Sequence, residues 1–141
     1  MGIGPSVGYW LTTLRDRGVL PAGCSLVDLG PQDLVWPEPA LRRFLATHFD
    51  DAKACRAYLE QTERRNGNVI ERPAVEFYRL LGVGHHESFD FGDPVATYQH
   101  NLNLPLEVER QYDVVTDFGT FEHIFNIGEA FRTAHNLACT G

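Results

Sequence analysis

A chain of 141 residues suits one domain with a modest core, and its hydrophobic fraction of 43% is ordinary for a globular protein. No segment approaches the roughly 20 apolar residues of a membrane span, and the N-terminal charges follow the apolar part, the reverse of a signal peptide. The formal net charge of −7, with no run of Lys and Arg, argues against nucleic-acid binding. We therefore expect a cytoplasmic protein without a membrane or nucleic-acid partner.

The first half of the chain predicts one strand among several helices. A helix is predicted from its cap at Ser6 to its stop at Gly18. The apolar run CSLVDL then predicts a first strand that is buried on both faces. From Pro37 to Asn68, two amphipathic stripes predict a helical hairpin inserted before the second strand. A third helix is predicted to open at Pro73.

The second half predicts three more strands and a final helix. The strands are ESFDF, ATYQH and YDVVTD, which are short and rich in aromatic or β-branched residues. The final helix has Asn126 as its N-cap and Glu129 placed for a capping box. No short hairpin joins the first, second and fourth strands, which favours a parallel sheet. The order of elements therefore predicts an α/β protein.

Residues suited to ligand binding follow the ends of all four predicted strands. They are Asp28, Gly30 and Gln32 after the first strand, Asp90 and Phe91 at the second, Asn101 and Leu102 at the third, and Asp117 and Phe118 at the fourth. An open parallel sheet binds its ligand beyond the carboxyl ends of its strands, so these residues predict a shared pocket. The carboxylate of Asp90 suits a ribose, because it can accept hydrogen bonds from both hydroxyls. Each polar residue alone could equally cap its strand.

The segment YDVVTDFGTFEHIFNIGEAFRTAHNLACTG resembles the fourth strand and following helix of class I S-adenosylmethionine-dependent methyltransferases. SLVDLGPQDL stands where the first motif of that family belongs, ESFDFGD where its acidic second-strand motif belongs, and HNLNLPL resembles its third-strand segment. The resemblance implies a Rossmann-like methyltransferase fold with a mostly parallel sheet. Residues 1–141 would be a partial domain, the N-terminal half with about four strands, and residues 37–68 a helical insertion.

The same resemblance implies S-adenosylmethionine as the cofactor and methyl transfer as the activity. Asp28 and Gly30 would lie by the methionine part of the cofactor, and Gln32 belongs to the same loop. Asp90 would hold the ribose hydroxyls, and Phe91 would lie against the adenine. Asn101 and Leu102 would lie at the edge of the adenine, and Asp117 and Phe118 would lie near the sulfonium. No fixed catalytic residue is expected, because methyl transfer mainly needs alignment of the reacting atoms. The histidines match no common zinc pattern, so no metal is expected. The methyl acceptor is not identified.

Three departures from the family leave an alternative open. Gly30 is the only glycine of the first loop, Asn101 replaces the usual Asp, and about 60 residues separate the first two strands. The alternative is a non-catalytic binding module on the same fold. An NAD-type domain is disfavoured, because G-x-G-x-x-G is absent. The family fold has further strands, so we expect a fifth strand after Gly141 and no activity from residues 1–141 alone.

Overall fold

The computed structural model describes residues 2–60, 64–66 and 69–139. Its elements in chain order are β1 (Gly2–Ile3), α1 (Pro5–Asp16), β2 (Ser25–Leu29), β3 (Asp33–Pro37), α2 (Glu38–His48), α3 (Ala52–Glu60), β4 (Arg64–Asn66), β5 (Val69–Pro73), α4 (Val75–Leu80), β6 (His85–Asp90), β7 (Tyr98–Gln99), β8 (Val114–Thr116) and α5 (Ile127–Leu137). A short 3-10 helix, Phe121–His123, precedes α5. Within the described ranges, no helix is both long and apolar enough to cross a membrane.

The chain forms two compact units, residues 1–22 with 32–83 and residues 23–31 with 84–141. The first unit has a mixed sheet of order β1-β3-β5-β4, in which only β1 and β3 are parallel. The second unit has a sheet of order β7-β6-β2-β8, and all its strands are parallel. The predicted α/β class and the parallel sheet are confirmed, whereas the mixed sheet of the first unit was not predicted.

Trp36 is the largest of the fully buried side chains. It is fully buried on β3, and its indole N–H donates to the carbonyl of Ile3 at 3.0 Å. The indole ring lies 4.7 Å from the ring of Phe44 on α2 and 6.1 Å from that of Tyr9 on α1. Gly8 on α1 leaves the space that the indole fills, since a Cβ there would collide with it. One aromatic side chain therefore joins both helices to β3.

The segment predicted as a helical hairpin is only partly helical. Helices α2 and α3 lie within Pro37–Asn68, but β4 lies there too, and β3 and β5 flank the helices. Strand β3 alternates half-buried and buried residues up to Trp36, the pattern of a strand with one face on a core. The prediction misses it because the alternation spans only five residues directly after the first loop. Pro73 ends β5 instead of opening a helix, because it pairs with Asp33.

The helix caps predicted from the sequence can be compared with those in the structure. Ser6 is not the N-cap of α1, which begins at Pro5 after Gly4. The side chain of Asn126 does cap α5, because it accepts a hydrogen bond from the amide of Glu129 at 3.3 Å. Phe131 on α5 is 62% exposed, whereas Ala130 and Leu137 are buried, so only part of the apolar surface of this helix faces the core. The fifth strand expected after the final helix lies outside the described residues.

The strands of the second unit are in register at their carboxyl ends. Strand β2 pairs with β6 as far as Leu29 opposite Phe89, and with β8 as far as Asp28 opposite Thr116. Strand β7 has two residues and pairs with the end of β6. One face of this sheet contributes to an apolar cluster whose buried members are Val27, Leu29, Phe89, Leu102, Tyr112 and Leu137.

A buried carboxylate, that of Glu87 on β6, lies on the same face of the sheet as this cluster. The hydroxyl of Tyr112 donates to its Oε2, and the hydroxyl of Tyr98 donates to its Oε1 at 3.1 Å. His85 Nε2 lies 3.3 Å from Oε1, and Arg110 Nη1 lies 3.6 Å from Oε2. Burial raises the pKa of Glu87, but the hydrogen bonds from Tyr112 and Tyr98, together with the nearby imidazole of His85, outweigh burial, so the pKa is lowered overall.

The lowered pKa of Glu87 predicts a stability that is sensitive to acid. Such a carboxylate stabilises the fold above its unfolded pKa, about 4.3 for Glu, and loses that contribution as the pH falls through the folded pKa. We expect the free energy of unfolding to fall less between about pH 6 and about pH 3 in Glu87→Gln than in the parent. Urea denaturation measures this, with the exposed Glu122→Gln as control. Equal losses in Glu87→Gln and the parent would contradict the prediction.

Candidate functional site

The carboxyl edge of the parallel sheet collects the residues that follow its strands. The amide of Gly30 donates to the carbonyl of Phe89 at 2.8 Å, and the amide of His100 donates to the carbonyl of Asp90 at 2.9 Å. The chain therefore leaves β2, β6 and β7 at the same level. Asp117 directly follows β8, whose last residue is in register with β2. Parallel sheets bind ligands at this edge, so the edge is the candidate site.

Asp90 ends β6 and holds the turn that follows it. Its Oδ1 accepts hydrogen bonds from the amides of Gly92, at 2.7 Å, and Asp93, at 2.8 Å. The next residue, Phe91, is 73% exposed. The turn thus fixes a half-buried carboxylate beside an exposed aromatic ring. A carboxylate can accept from a diol and an aromatic ring can cover a planar base, so the pair has the chemistry that a nucleoside needs.

Asn101 and Leu102 follow β7 in different surroundings. Asn101 is half-buried, and its Oδ1 accepts from the backbone amide of Asn103 at 3.0 Å and from the side-chain amide of Asn103 at 2.9 Å. Leu102 is only 3% exposed and belongs to the apolar cluster. Leu102 therefore anchors the loop in the core, while Asn101 remains at the edge of the sheet.

The turn after β8 packs against the first loop. Asp117 Oδ1 accepts hydrogen bonds from the amides of Thr120, at 2.8 Å, and Phe121, at 3.2 Å. Phe118 follows Asp117 in this turn and is half-buried. Gly30 has a φ of +90°, and a Cβ at that position would collide with Thr120 Oγ1. Thr120 is thus a residue of the edge that the sequence reasoning missed. The signal that could have found it is its place directly after Asp117, Phe118 and Gly119, within the segment that carries the resemblance.

Asp28 is buried within β2 below the edge. The hydroxyl of Thr116 donates to its Oδ1, and the Nε2–H of His86 donates to its Oδ2 at 2.9 Å. The carboxylate is 1% exposed, and it links β2 to both neighbouring strands. These bonds give the buried carboxyl group of Asp28 hydrogen-bond partners, as buried polar groups require. A contact between Asp28 and a cofactor stays a prediction.

Gln32 is not among the residues that the second unit assembles. Gln32 belongs to the first unit and is 7% exposed. Its backbone carbonyl accepts a hydrogen bond from the amide of Ala74 at 2.8 Å. The physical reason is that the chain enters β3 at Asp33, directly after Gln32. In the part of the chain that the structure describes, no three His, Cys, Asp or Glu residues form a group that could hold a metal ion.

Comparison of the chain with protein-family models, with curated proteins and with solved structures finds no match. The motifs of the sequence and the geometry of the sheet edge are therefore what bears on its function.

Proposed function

We propose that this chain has a Rossmann-like methyltransferase fold, binds S-adenosylmethionine at the carboxyl edge of the second unit, and serves methyl transfer to an acceptor not yet identified. The observation that carries the proposal is the parallel sheet of order β7-β6-β2-β8. Counted along the second unit, this is the order third, second, first and fourth, which is that of a doubly wound nucleotide-binding fold. The four motifs of the resemblance include or directly follow these same four strands, and each contains residues of the carboxyl edge.

The side chains at the edge would divide the work of binding. Asp90 would accept hydrogen bonds from the ribose hydroxyls, and the exposed ring of Phe91 would cover the adenine. Asn101 would offer an amide to the edge of the base. S-adenosylmethionine supplies an electrophilic methyl group on its sulfonium. The contribution of the chain is to hold and align, which can supply a large part of the barrier reduction without a fixed base.

Replacing Asp90 by asparagine is expected to weaken binding of S-adenosylhomocysteine by about 1–3 kcal/mol. The change keeps an oxygen for the amides of Gly92 and Asp93, so the turn is retained. It replaces Oδ2, the carboxylate oxygen that does not hold the turn, by a donor, so the acceptor proposed for the ribose hydroxyls is lost. Isothermal titration calorimetry measures the affinity, and thermal unfolding checks that the turn is intact.

Asp93→Asn is the matched control for this variant. Asp93 lies in the same turn and its Oδ1 accepts from the amide of Val95 at 3.0 Å, but it has no assigned ligand contact. We expect its affinity to equal that of the parent. If Asp90→Asn binds S-adenosylhomocysteine as tightly as the parent, or if both variants lose affinity equally, Asp90 does not hold the ribose.

A non-catalytic binding module is the second candidate, and the contact between Thr120 and Gly30 favours it. Glycine in such a loop permits close approach of a ligand to the backbone. Here the side chain of Thr120 takes the space next to Gly30, and Pro31 removes a backbone donor. Equilibrium dialysis with radiolabelled S-adenosylmethionine separates the candidates. Retention of label supports the first, and no retention by folded protein supports the second.

A further inference from the structure

We propose that Glu87 and Tyr98 are positioning residues for the nucleoside half of the cofactor: they hold β7, and with it Asn101, at the carboxyl edge. The inference rests on the proposed function. Neither residue lies at the candidate site itself, and nothing in the motifs of the sequence assigns them a role.

Strand β7 has little backbone pairing to fix its position. It contains two residues, both exposed, and it pairs with β6 only through Phe89 opposite Tyr98 and Asp90 opposite Gln99. It is also the edge strand of the sheet, so it has no neighbour on its other side among the strands described. Strands usually have 3–10 residues, about five or six being most common. Side chains must therefore supply most of the positioning.

Tyr98 supplies two contacts that point into the sheet. Its ring stacks on that of Phe89 with 4.7 Å between centroids, and its hydroxyl donates to Glu87 Oε1 at 3.1 Å. The residue before it adds a reciprocal pair, because Thr97 Oγ1 accepts from the amide of Ser88 at 3.1 Å and Ser88 Oγ accepts from the amide of Thr97 at 3.3 Å. β7 is thus attached to β6 by side chains at two consecutive residues.

Glu87 is a fixed acceptor for Tyr98. Its Oε2 accepts from the hydroxyl of Tyr112. The backbone of Tyr112 is anchored in turn, because its amide donates to the carbonyl of Leu137, the last residue of α5, at 2.7 Å, and its carbonyl accepts from the amide of Cys139 at 2.9 Å. A carboxylate buried on an apolar face is often less stabilising than an apolar residue of similar size. Its presence here is explained by the position that it imposes on Tyr98, which a leucine could not impose.

The position of Tyr98 is passed on to the site along a short stretch of chain. Only Gln99 and His100 separate Tyr98 from Asn101. The last backbone bond before Asn101 is that of the His100 amide to the carbonyl of Asp90. A displacement of β7 would therefore move Asn101 relative to Asp90, the residue proposed to hold the ribose.

The test compares Tyr98→Phe with Tyr112→Phe. Both variants remove one phenol hydroxyl from the same carboxylate, but only Tyr98 belongs to β7. In the ligand-free protein, amide hydrogen exchange at His100 is measured relative to the amide of Gly30, which reports on opening of the whole sheet. We expect this ratio to rise about tenfold in Tyr98→Phe and by a clearly smaller factor in Tyr112→Phe, in which Glu87 keeps its bond with Tyr98. An unchanged ratio in Tyr98→Phe would overturn the positioning role.

The second arm measures the affinity for adenosine and for S-adenosylhomocysteine. Tyr98→Phe is expected to weaken both by the same factor, about tenfold, and Tyr112→Phe to weaken both by a clearly smaller factor. Equal losses in the two variants would mean that the network is only structural. Absence of binding by the parent would overturn the proposed function, and the exchange ratio would then decide on its own whether Tyr98 positions β7.

Discussion

Replacing Gly30 by alanine is expected to destabilise the second unit by several kcal/mol and to abolish binding at its carboxyl edge. Two penalties combine. A φ of +90° is strained for any residue with a Cβ, at about 1–3 kcal/mol. The new Cβ would also collide with Thr120 Oγ1, and such overpacking costs about 1–3 kcal/mol. Urea denaturation followed by circular dichroism measures the loss.

Two further variants separate these penalties. Gly23→Ala has a similar φ of +80° with nothing near the added Cβ, so it carries the backbone strain alone. Thr120→Ala in the Gly30→Ala background removes the colliding oxygen and should recover part of the loss. Two results would show that Thr120 does not pack against Gly30. One is a loss of unfolding free energy in Gly30→Ala that is no larger than in Gly23→Ala. The other is a double variant that is no more stable than Gly30→Ala.

Replacing Trp36 by alanine is expected to lower the free energy of unfolding by about 3–5 kcal/mol, the usual cost for a buried tryptophan. Trp36 is fully buried. Its ring packs against Tyr9 on α1, which precedes it in the chain, and against Phe44 on α2, which follows it. Truncation would leave a cavity that Gly8 cannot fill. Urea denaturation followed by circular dichroism gives the loss.

Trp36→Phe is the matched variant for this prediction. It keeps an aromatic ring but removes the indole donor to the Ile3 carbonyl, whose net contribution is about 0.5–1.5 kcal/mol. We expect a clearly smaller loss than for alanine. A loss below about 1 kcal/mol for Trp36→Ala would show that the indole is not packed between these elements.

The parallel sheet was predictable because its signals are local. The predicted strands are short runs rich in apolar, aromatic or β-branched residues, and the lack of short hairpins between the first, second and fourth favours a parallel sheet. The cap at Asn126 was predictable for the same reason. Strand β3 was not, since its half-buried alternation makes sense only against β5, which lies about 35 residues later in the chain.

The candidate site was predictable in outline and not in detail. The order of strands brings Asp90, Asn101 and Asp117 to one edge, and the sequence indicates each of them by its place after a strand. Local pattern could not show that Gln32 joins the other unit, since that depends on the pairing of Asp33 with Pro73. Nor could it show that Thr120 packs on Gly30, a contact between residues that are 90 positions apart.

Binding at the carboxyl edge is tested by titrating the isotopically labelled protein with S-adenosylhomocysteine and following the amide chemical shifts. We expect saturable shifts of one binding event, concentrated at the amides of Gly30, Phe91, Asn101 and Phe118, the residues that follow the four parallel strands. Saturable shifts confined to the first unit, or no shifts at millimolar ligand in a protein whose spectrum is that of a folded chain, would contradict it.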